Sequence, residues 1–221
     1  MGGLKVLKNK ILKLIRLLVG FILCASSTVL MLNSNLGLSP WDVFHQGISK
    51  LTGMTIGEAS IAVGVVCVLL GLALGEKLGV GTILNMIIVG KFIDMIIAMN
   101  IIPVASNIFM GVIMMIFGML VMGLGCYLYI GCALGCGPRD GVMVSLSKKF
   151  NKSIKFIRSS IEITVLILGF ILGGRVGLGT IITALFLGTS IQIIFRVCSF
   201  DVANVRHKSV TESIKSNFIA S

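Results

Sequence analysis

The stretch Leu36-Gly37-Leu38-Ser39-Pro40-Trp41-Asp42 decides the fold, because the chain repeats it 98 residues later as Leu134-Gly135-Cys136-Gly137-Pro138-Arg139-Asp140. A shift of 98 positions without a gap aligns residues 34–96 with 132–194, and 18 of the 63 aligned pairs are identical. A second block of identity aligns Gly79-Val80-Gly81-Thr82-Ile83 with Gly177-Leu178-Gly179-Thr180-Ile181. The sequence therefore predicts an internal duplication. Tight turns and close helix packing are the expected roles of the Gly-x-Gly-Thr blocks.

The composition is typical of an integral membrane protein. Of the 221 residues, 56% are hydrophobic and 12% are charged, whereas a soluble domain carries about 25% charged residues. The mean hydropathy is +1.07, so there is too little polar surface to cover a globule in water. The net charge of +11 comes from Lys and Arg at the ends of apolar segments. These positions are expected of residues that fix the topology of membrane helices, which argues against nucleic-acid binding.

Six apolar segments, of about 16 to 27 residues, are predicted to cross a membrane as helices, since a span needs about 20 residues. They cover residues 11–32, 56–74, 80–102, 104–130, 157–172 and 176–197. The predicted fold is therefore an all-α transmembrane protein, with one integral membrane domain over residues 1–221. Its internal repeats are expected at about 11–102 and 104–197, followed by a polar cytoplasmic tail at 198–221.

The basic residues predict the orientation of these spans. If the N-terminus is cytoplasmic, only Lys50 and Arg175 lie outside, and Lys91 lies within the third span. The sixteen other basic residues are then cytoplasmic: Lys5, Lys8, Lys10, Lys13, Arg16, Lys77, Arg139, Lys148, Lys149, Lys152, Lys155, Arg158, Arg196, Arg206, Lys208 and Lys215. Both termini are predicted to be cytoplasmic. Because each repeat has three spans, the second must enter from the opposite face, as in the inverted repeats of secondary transporters.

The repeated Gly-x-x-Pro-x-Asp motif is typical of a helix start. Ser39 can cap the helix, Pro40 suits its first position, and Asp42 complements the helix dipole. Asp140 has the same place in the second copy. The segments that follow are too short to span, so each is predicted to be a half-helix that dips into the membrane or an interfacial helix on its surface.

Two half-helices that enter from opposite faces would meet near the middle of the bilayer, where inverted-repeat transporters bind their substrates. Asp42 and Asp140 are therefore candidate substrate-binding residues. The alternative interpretation is that both aspartates only cap surface helices.

The third predicted span carries ionisable residues near its middle. Lys91 and Asp94 fall about 16 and 21 Å along it at 1.5 Å per residue, where ionisable groups usually face the protein interior or a water-filled path. At positions i and i+3 they can form a pair, and an ion pair with only a structural role is the alternative. Thr189 and Gln192 occupy the equivalent positions of the second copy. The complete set of candidate substrate-binding residues is Asp42, Asp140, Asn85, Lys91, Asp94 and Gln192.

Other reactive side chains give weaker signals. His45 and Glu58 could each relay a proton, but both are predicted to lie at the surface. Glu162 is predicted to reach the membrane interface or to pair with Arg158. Cys132 and Cys136 share a loop, but no further ligands complete a metal site in the sequence. Catalytic constellations are also missing from the sequence, so we expect neither an enzyme nor a cofactor or metal requirement.

The first copy also carries a family resemblance. The runs Gly37-Leu38-Ser39-Pro40-Trp41-Asp42-Val43-Phe44-His45-Gln46-Gly47, Thr55-Ile56-Gly57 and Gly79-Val80-Gly81-Thr82 resemble the YczE/YyaS/YitT group of bacterial membrane proteins, in particular its YczE-like branch. The resemblance covers most of residues 10–198. It implies a small multi-span protein of the bacterial inner membrane.

Two functional hypotheses follow from the sequence. The first is a small secondary transporter or permease for a solute or an ion, with its site between the two half-helices. The second is a non-transporting membrane module that scaffolds, regulates or supports a partner protein, which the small size and the basic cytoplasmic loop at 148–158 suggest. The expected partners are the lipid bilayer and an unknown small solute or ion. The sequence is compatible with a homo-oligomer and does not determine the oligomeric state.

Overall fold

The computed structural model describes residues 2–76, 79–135 and 137–201, and every regular element within these ranges is a helix. The first four helices are α1 (Gly2–Asn33), α2 (Pro40–Thr52), α3 (Ile56–Ala73) and α4 (Val80–Met99). The next four are α5 (Ile108–Ile130), α6 (Pro138–Phe150), α7 (Ile154–Ile171) and α8 (Leu178–Val197). In each set of four, a long first helix precedes helices of 13, 18 and 20 residues. The duplicated sequence thus folds into two series of helices in the same order.

Five helical segments are long and apolar enough to cross a membrane: Ile11–Asn33, Ile56–Ala73, Val80–Met99, Ile108–Ile130 and Leu178–Val197. The remaining predicted span corresponds to α7, which has the same length as α3 but carries Lys155, Arg158 and Glu162 in its first half. Its composition alone therefore does not mark it as a span. Lys77 and the predicted tail from residue 202 onward lie outside the described residues.

Helices α1 and α5 form the centre of the molecule and run antiparallel. Gly20 in the first half of α1 lies against the last turns of α5, where a Cβ on Gly20 would come within 2.9 Å of the Tyr129 backbone nitrogen. Ser27, further along α1, donates a hydrogen bond of 2.7 Å to the carbonyl of Gly118, which is earlier in α5. Small residues at these crossings let two membrane helices approach closely.

The contacts between the two series are reciprocal. Helix α2 packs on α7, and α6 packs on α3. Lys50 near the end of α2 donates to the carbonyl of Gly173 just after α7, at 2.6 Å. Lys148 near the end of α6 lies 3.5 Å from the carboxylate of Glu76 just after α3. Helices α3 and α7 therefore run in opposite directions between two ends of the molecule.

We name these ends by their residues. The basic end contains the exposed lysines Lys149 and Lys152 of the α6–α7 turn, together with Lys148. The Asn33 end contains the end of α1, where the Asn33 side chain donates to the carbonyl of Ile102 at 2.6 Å. The start of α3 lies at the Asn33 end, and the start of α7 lies at the basic end.

Each motif loop is bound by the other half of the chain. The Gly81 N–H at the start of α4 donates to the Leu134 carbonyl at 2.7 Å. The equivalent Gly179 N–H at the start of α8 donates to the Leu36 carbonyl, also at 2.7 Å. The two Gly-x-Gly-Thr blocks therefore serve close packing, as predicted.

Glycine is required at the centre of both loops. Gly37 and Gly135 have φ angles of 115° and 139°, which side chains rarely adopt. A Cβ on Gly37 would lie 2.7 Å from the Gly177 nitrogen, and one on Gly135 would lie 2.6 Å from Thr82 Oγ1. The loops can fit against the opposite helix starts only because they have no side chain there.

Candidate binding site between the motif helices

Both motifs begin helices in the way the sequence predicts. The Ser39 hydroxyl caps α2: it accepts from the Asp42 N–H at 3.4 Å and donates to the Asp42 carboxylate at 2.5 Å. Pro40 occupies the first helical position. In α6, Gly137 takes the cap position without a side-chain hydrogen bond, and Asp140 lies in the first turn. The second helix start therefore has no counterpart of the Ser39 hydroxyl.

The starts of α2 and α6 meet inside the molecule. The Arg139 guanidinium lies over the Trp41 ring, with its Cζ atom 4.7 Å from the ring centroid. This is a cation–π contact. Arg139 also places Nη2 3.2 Å from Nε2 of His45. Since Trp41 and Arg139 occupy equivalent positions in the two copies, the motifs contact each other through matching sites.

His45 is buried, with 1% of its surface exposed, so the prediction of a surface position is wrong. A guanidinium can only donate hydrogen bonds, and the His45 Nε2 beside Arg139 is therefore the acceptor. The remaining proton of a neutral ring is on Nδ1, which lies 3.5 Å from Oδ1 of Asp42.

Asp42 lies beside three polar side chains of the junction, those of Ser39, His45 and Arg139. Asp42, His45 and Arg139 lie next to one another across the junction of the two motif helices, and among the described residues His45 Nδ1 has no hydrogen-bond partner. The contacts of Arg139 with Trp41 and His45 join the start of α6 to α2.

A cavity of about 760 Å³ lies beside this junction. Its volume is within the range of roughly 300–1,000 Å³ that is usual for small-molecule sites. Four of the predicted site residues line it: Asp42, Asp140, Asn85 and Gln192. Other polar residues of the wall include Thr28, Ser39, Ser60, Arg139, Ser159, Thr183 and Thr189. The cavity therefore receives side chains from both halves of the chain.

The cavity extends to the basic end along α7. Lys155, Arg158 and Glu162 line this part of the wall. Arg158 Nε lies 2.9 Å from Oε1 of Glu162, so the predicted pair is confirmed. The charged residues that distinguish α7 from the apolar helices thus face the cavity.

The structure places the other two predicted site residues elsewhere. Asp94 accepts from the Thr55 hydroxyl at 2.6 Å and from the Gly57 N–H at 2.8 Å. Lys91 is exposed, and the described part of the chain contains no carboxylate within ion-pair distance of it. The predicted pair between Lys91 and Asp94 is not formed. The first N–H groups of a helix have no partner within the helix, and Asp94 accepts a hydrogen bond from one of them at the start of α3. Neither residue lines the cavity.

Sequence reasoning missed the part played by Arg139 and His45. Arg139 was counted with the loop charges, although it aligns with Trp41 under the 98-residue shift. In a two-fold arrangement, equivalent positions near the axis contact each other. The alignment of an arginine with a tryptophan was therefore the signal available in the sequence.

Comparisons with known proteins agree with this architecture. A family model described as a family of unknown function (DUF6198) matches residues 11–196. The chain belongs to this family. An uncharacterized protein of Haemophilus influenzae is 40% identical over 168 residues, which cover 76% of each chain.

The resemblance to the YczE-like group is also confirmed. The uncharacterized membrane protein YczE of Bacillus subtilis is 34% identical over 154 residues, covering 69% of this chain and 71% of the relative. The uncharacterized protein YyaS of the same organism is 24% identical over 187 residues, covering 79% and 88%. No solved structure matches the chain. The apolar helices and the family together establish a membrane protein.

Proposed function

We propose that this protein is a secondary transporter of a small polar solute or ion, with its binding site at the junction of α2 and α6. The observation that carries the proposal is the cavity of about 760 Å³, lined by both motif helices and extending to one end of the molecule. Sites between repeats, built from short helices that start inside the bilayer, are typical of such transporters. We assign no chemical reaction and no cofactor to the site.

The transmembrane arrangement in this proposal has six spans, with α7 as the sixth. Its charged residues Lys155, Arg158 and Glu162 line the cavity, so they are compatible with a helix that crosses the membrane beside a wet path. The antiparallel directions of α1 and α5, and of α3 and α7, support two inverted repeats. In this arrangement α2 and α6 are half-helices that start near the middle and run toward opposite faces.

The orientation follows from the charges. The basic end carries Lys148, Lys149 and Lys152, whereas Lys50 and Arg175 are on the other side. The positive-inside rule then assigns the basic end to the cytoplasm of a bacterial cell, together with both termini. In the conformation described here, the cavity would open to the cytoplasm.

The solute site in this proposal combines fixed charges and neutral polar groups. Asp42 and Arg139 hold the helix starts in place through their contacts with Ser39, His45 and Trp41. Asp140, Asn85 and Thr183 line the wall near them and are assigned as contacts for a polar solute. The partners of the protein are then the bilayer and this solute.

Flux measurements on proteoliposomes test the proposal. The purified protein would be assayed for gradient-driven uptake of a panel of labelled amino acids, organic acids, organic cations, Na⁺ and H⁺. We expect at least one member to be taken up, and Asp140→Asn or Asn85→Leu to reduce its uptake. The control Lys91→Ala, on the exposed face of α4, should leave the rate unchanged. Flux in no member of the panel, with a stable partner protein that co-purifies instead, would favour the accessory-module hypothesis.

A further inference from the structure

Helices α3 and α4 are closed against each other at the Asn33 end. A Cβ on Gly90 would lie 2.5 Å from Ile61 Cγ1 and 2.7 Å from the Gly57 carbonyl oxygen. A Cβ on Gly57 would clash with the Gly90 carbonyl and lie 2.5 Å from Asp94 Cγ. The two backbones therefore touch at Gly57 and Gly90, which leaves no room for a solute to pass.

Hydrogen bonds reinforce this contact. Asp94 of α4 accepts from the Thr55 hydroxyl and the Gly57 N–H, which both belong to the start of α3. A carboxylate at a helix start also interacts favourably with the helix dipole. Parting α3 from α4 would remove both bonds at once.

The equivalent helices α7 and α8 are apart from each other at the corresponding positions, which lie at the basic end. The counterparts of Gly57, Ile61, Gly90 and Asp94 are Lys155, Ser159, Gly188 and Gln192, and all four line the cavity. A Cβ on Gly188 would have no atom within 4 Å, whereas its counterpart Gly90 is enclosed. Helices α3 and α4 are packed against each other, but α7 and α8 make no comparable contact.

We propose that the surfaces of α7 and α8 around Gly188 form a second gate, which closes when the α3–α4 contact opens. This inference rests on the proposed transport function and on its inverted topology. The described conformation has the gate at the basic end open and the gate at the Asn33 end closed. Exchange of the two arrangements would expose the same cavity to the opposite side of the membrane, as alternating access requires.

The two gates differ in chemistry. Gln192 replaces the carboxylate of Asp94, and Lys155 replaces Gly57. When the basic-end gate closes, the Gln192 amide oxygen takes the place of the Asp94 carboxylate at the start of α7, where Ser153 is the cap residue. A neutral acceptor forms weaker bonds with a helix start than a carboxylate does, and Lys155 prevents as close an approach as Gly57 allows. The conformation described here is therefore the favoured one.

Distance measurements between spin labels test this inference without any knowledge of the solute. One label pair, at Ala62 and Met95, reports on α3 and α4. The equivalent pair, at Ser160 and Ile193, reports on α7 and α8, and all four positions are exposed. The labels would be attached to introduced cysteines in full-length protein whose native cysteines are replaced, reconstituted in lipid nanodiscs.

Substitutions at the two equivalent glycines should act in opposite directions. Gly188→Leu adds a side chain to open space, so the protein folds and is held with the basic end open. Gly90→Leu cannot be accommodated in the closed α3–α4 contact. We expect it to lengthen the 62–95 distance by about 5 Å, half a helix diameter, and to shorten the 160–193 distance. Lys91→Leu, on the exposed face of the same helix, serves as the control and should change neither distance.

Reciprocal changes in the two distances support the inference. If Gly90→Leu fails to fold, Gly188→Leu still tests the inference. The unsubstituted protein should show two populations of distances. Gly188→Leu should show only one, with a short 62–95 distance and a long 160–193 distance. No second population in the unsubstituted protein, or two distances that lengthen together, would overturn the inference. Solute flux with unchanged distances retains the transport function and rejects the gate. Reciprocal distance changes without flux reject transport and retain the conformational exchange.

Discussion

Helices α3 and α4 are in backbone contact around Gly57 and Gly90, whereas the equivalent helices α7 and α8 enclose space around Gly188. Both pairs come from the duplicated sequence, and each follows a short helix that begins at the motif, α2 in the first copy and α6 in the second. The difference arises where the copies have diverged, with Gly57 and Asp94 in one and Lys155 and Gln192 in the other. A duplication therefore specifies which surfaces correspond, while a few substitutions specify which of them is closed.

The largest effects are expected where the two halves remain alike. Gly37→Ala and Gly135→Ala each combine an unfavourable φ angle with a clash against the opposite helix start. Each should lower the free energy of unfolding by about 3 kcal/mol or more, from strain and overpacking together. Denaturation of the purified protein in detergent, followed by circular dichroism, measures this.

Gly53→Ala separates the two contributions. Gly53 has a φ angle of 77° but has open space around it, so its substitution should cost only about 1–2 kcal/mol. A loss at Gly37 no greater than the loss at Gly53 would show that the loop does not hold the opposite helix start. If Gly37→Ala and Gly135→Ala lower the free energy of unfolding by different amounts, the two halves differ at the motif loops as well as at the α3–α4 and α7–α8 pairs.

An intermediate effect is expected at Asp94 and its counterpart Gln192, which differ between the copies. Asp94→Ala removes two hydrogen bonds from a half-buried carboxylate to the start of α3, and should cost about 1–2 kcal/mol. Gln192→Ala, its equivalent on the open side, should change stability by less than about 0.5 kcal/mol. Thermal unfolding midpoints of the two variants provide the comparison. Similar losses would contradict the assignment of α3–α4 as the closed pair.

The smallest effect is expected at the junction of the motif helices. Arg139→Lys keeps the positive charge but loses the planar group that stacks on Trp41 and donates to His45. We expect a loss of about 1 kcal/mol in unfolding free energy.

Arg158→Lys is the matched control, since the Arg158 side chain is half-exposed in its pair with Glu162, and exposed pairs contribute little. If the two variants are indistinguishable in the same denaturation experiment, the junction does not stabilise the fold.

Much of the fold could be predicted from the sequence. Long apolar segments gave five helices within a few residues of their observed bounds, and the Gly-x-x-Pro-x-Asp motif gave the starts of α2 and α6. Four of the six candidate site residues line the cavity. These four could be predicted because they belong to the repeated motif or were compared with their counterparts in the other copy, and both features can be read from the sequence.

The positions of Lys91 and Asp94 could not be predicted in the same way. Apolar residues occur on every face of α4, so residue spacing does not reveal which face meets the cavity, the lipid or a neighbouring helix. The burial of His45 is similar: the Arg139 that contacts it is 94 residues away in the chain.

The sequence by itself determined that this protein is helical, belongs in a membrane and is built from two related halves, because hydrophobic length and internal repetition are local or additive properties. Only the tertiary structure decided that Trp41 meets Arg139, that Asp94 caps α3, and that α3 and α4 are closed while α7 and α8 are open. These features depend on how helices are rotated and tilted against one another. Contacts between residues far apart in the chain fix that rotation.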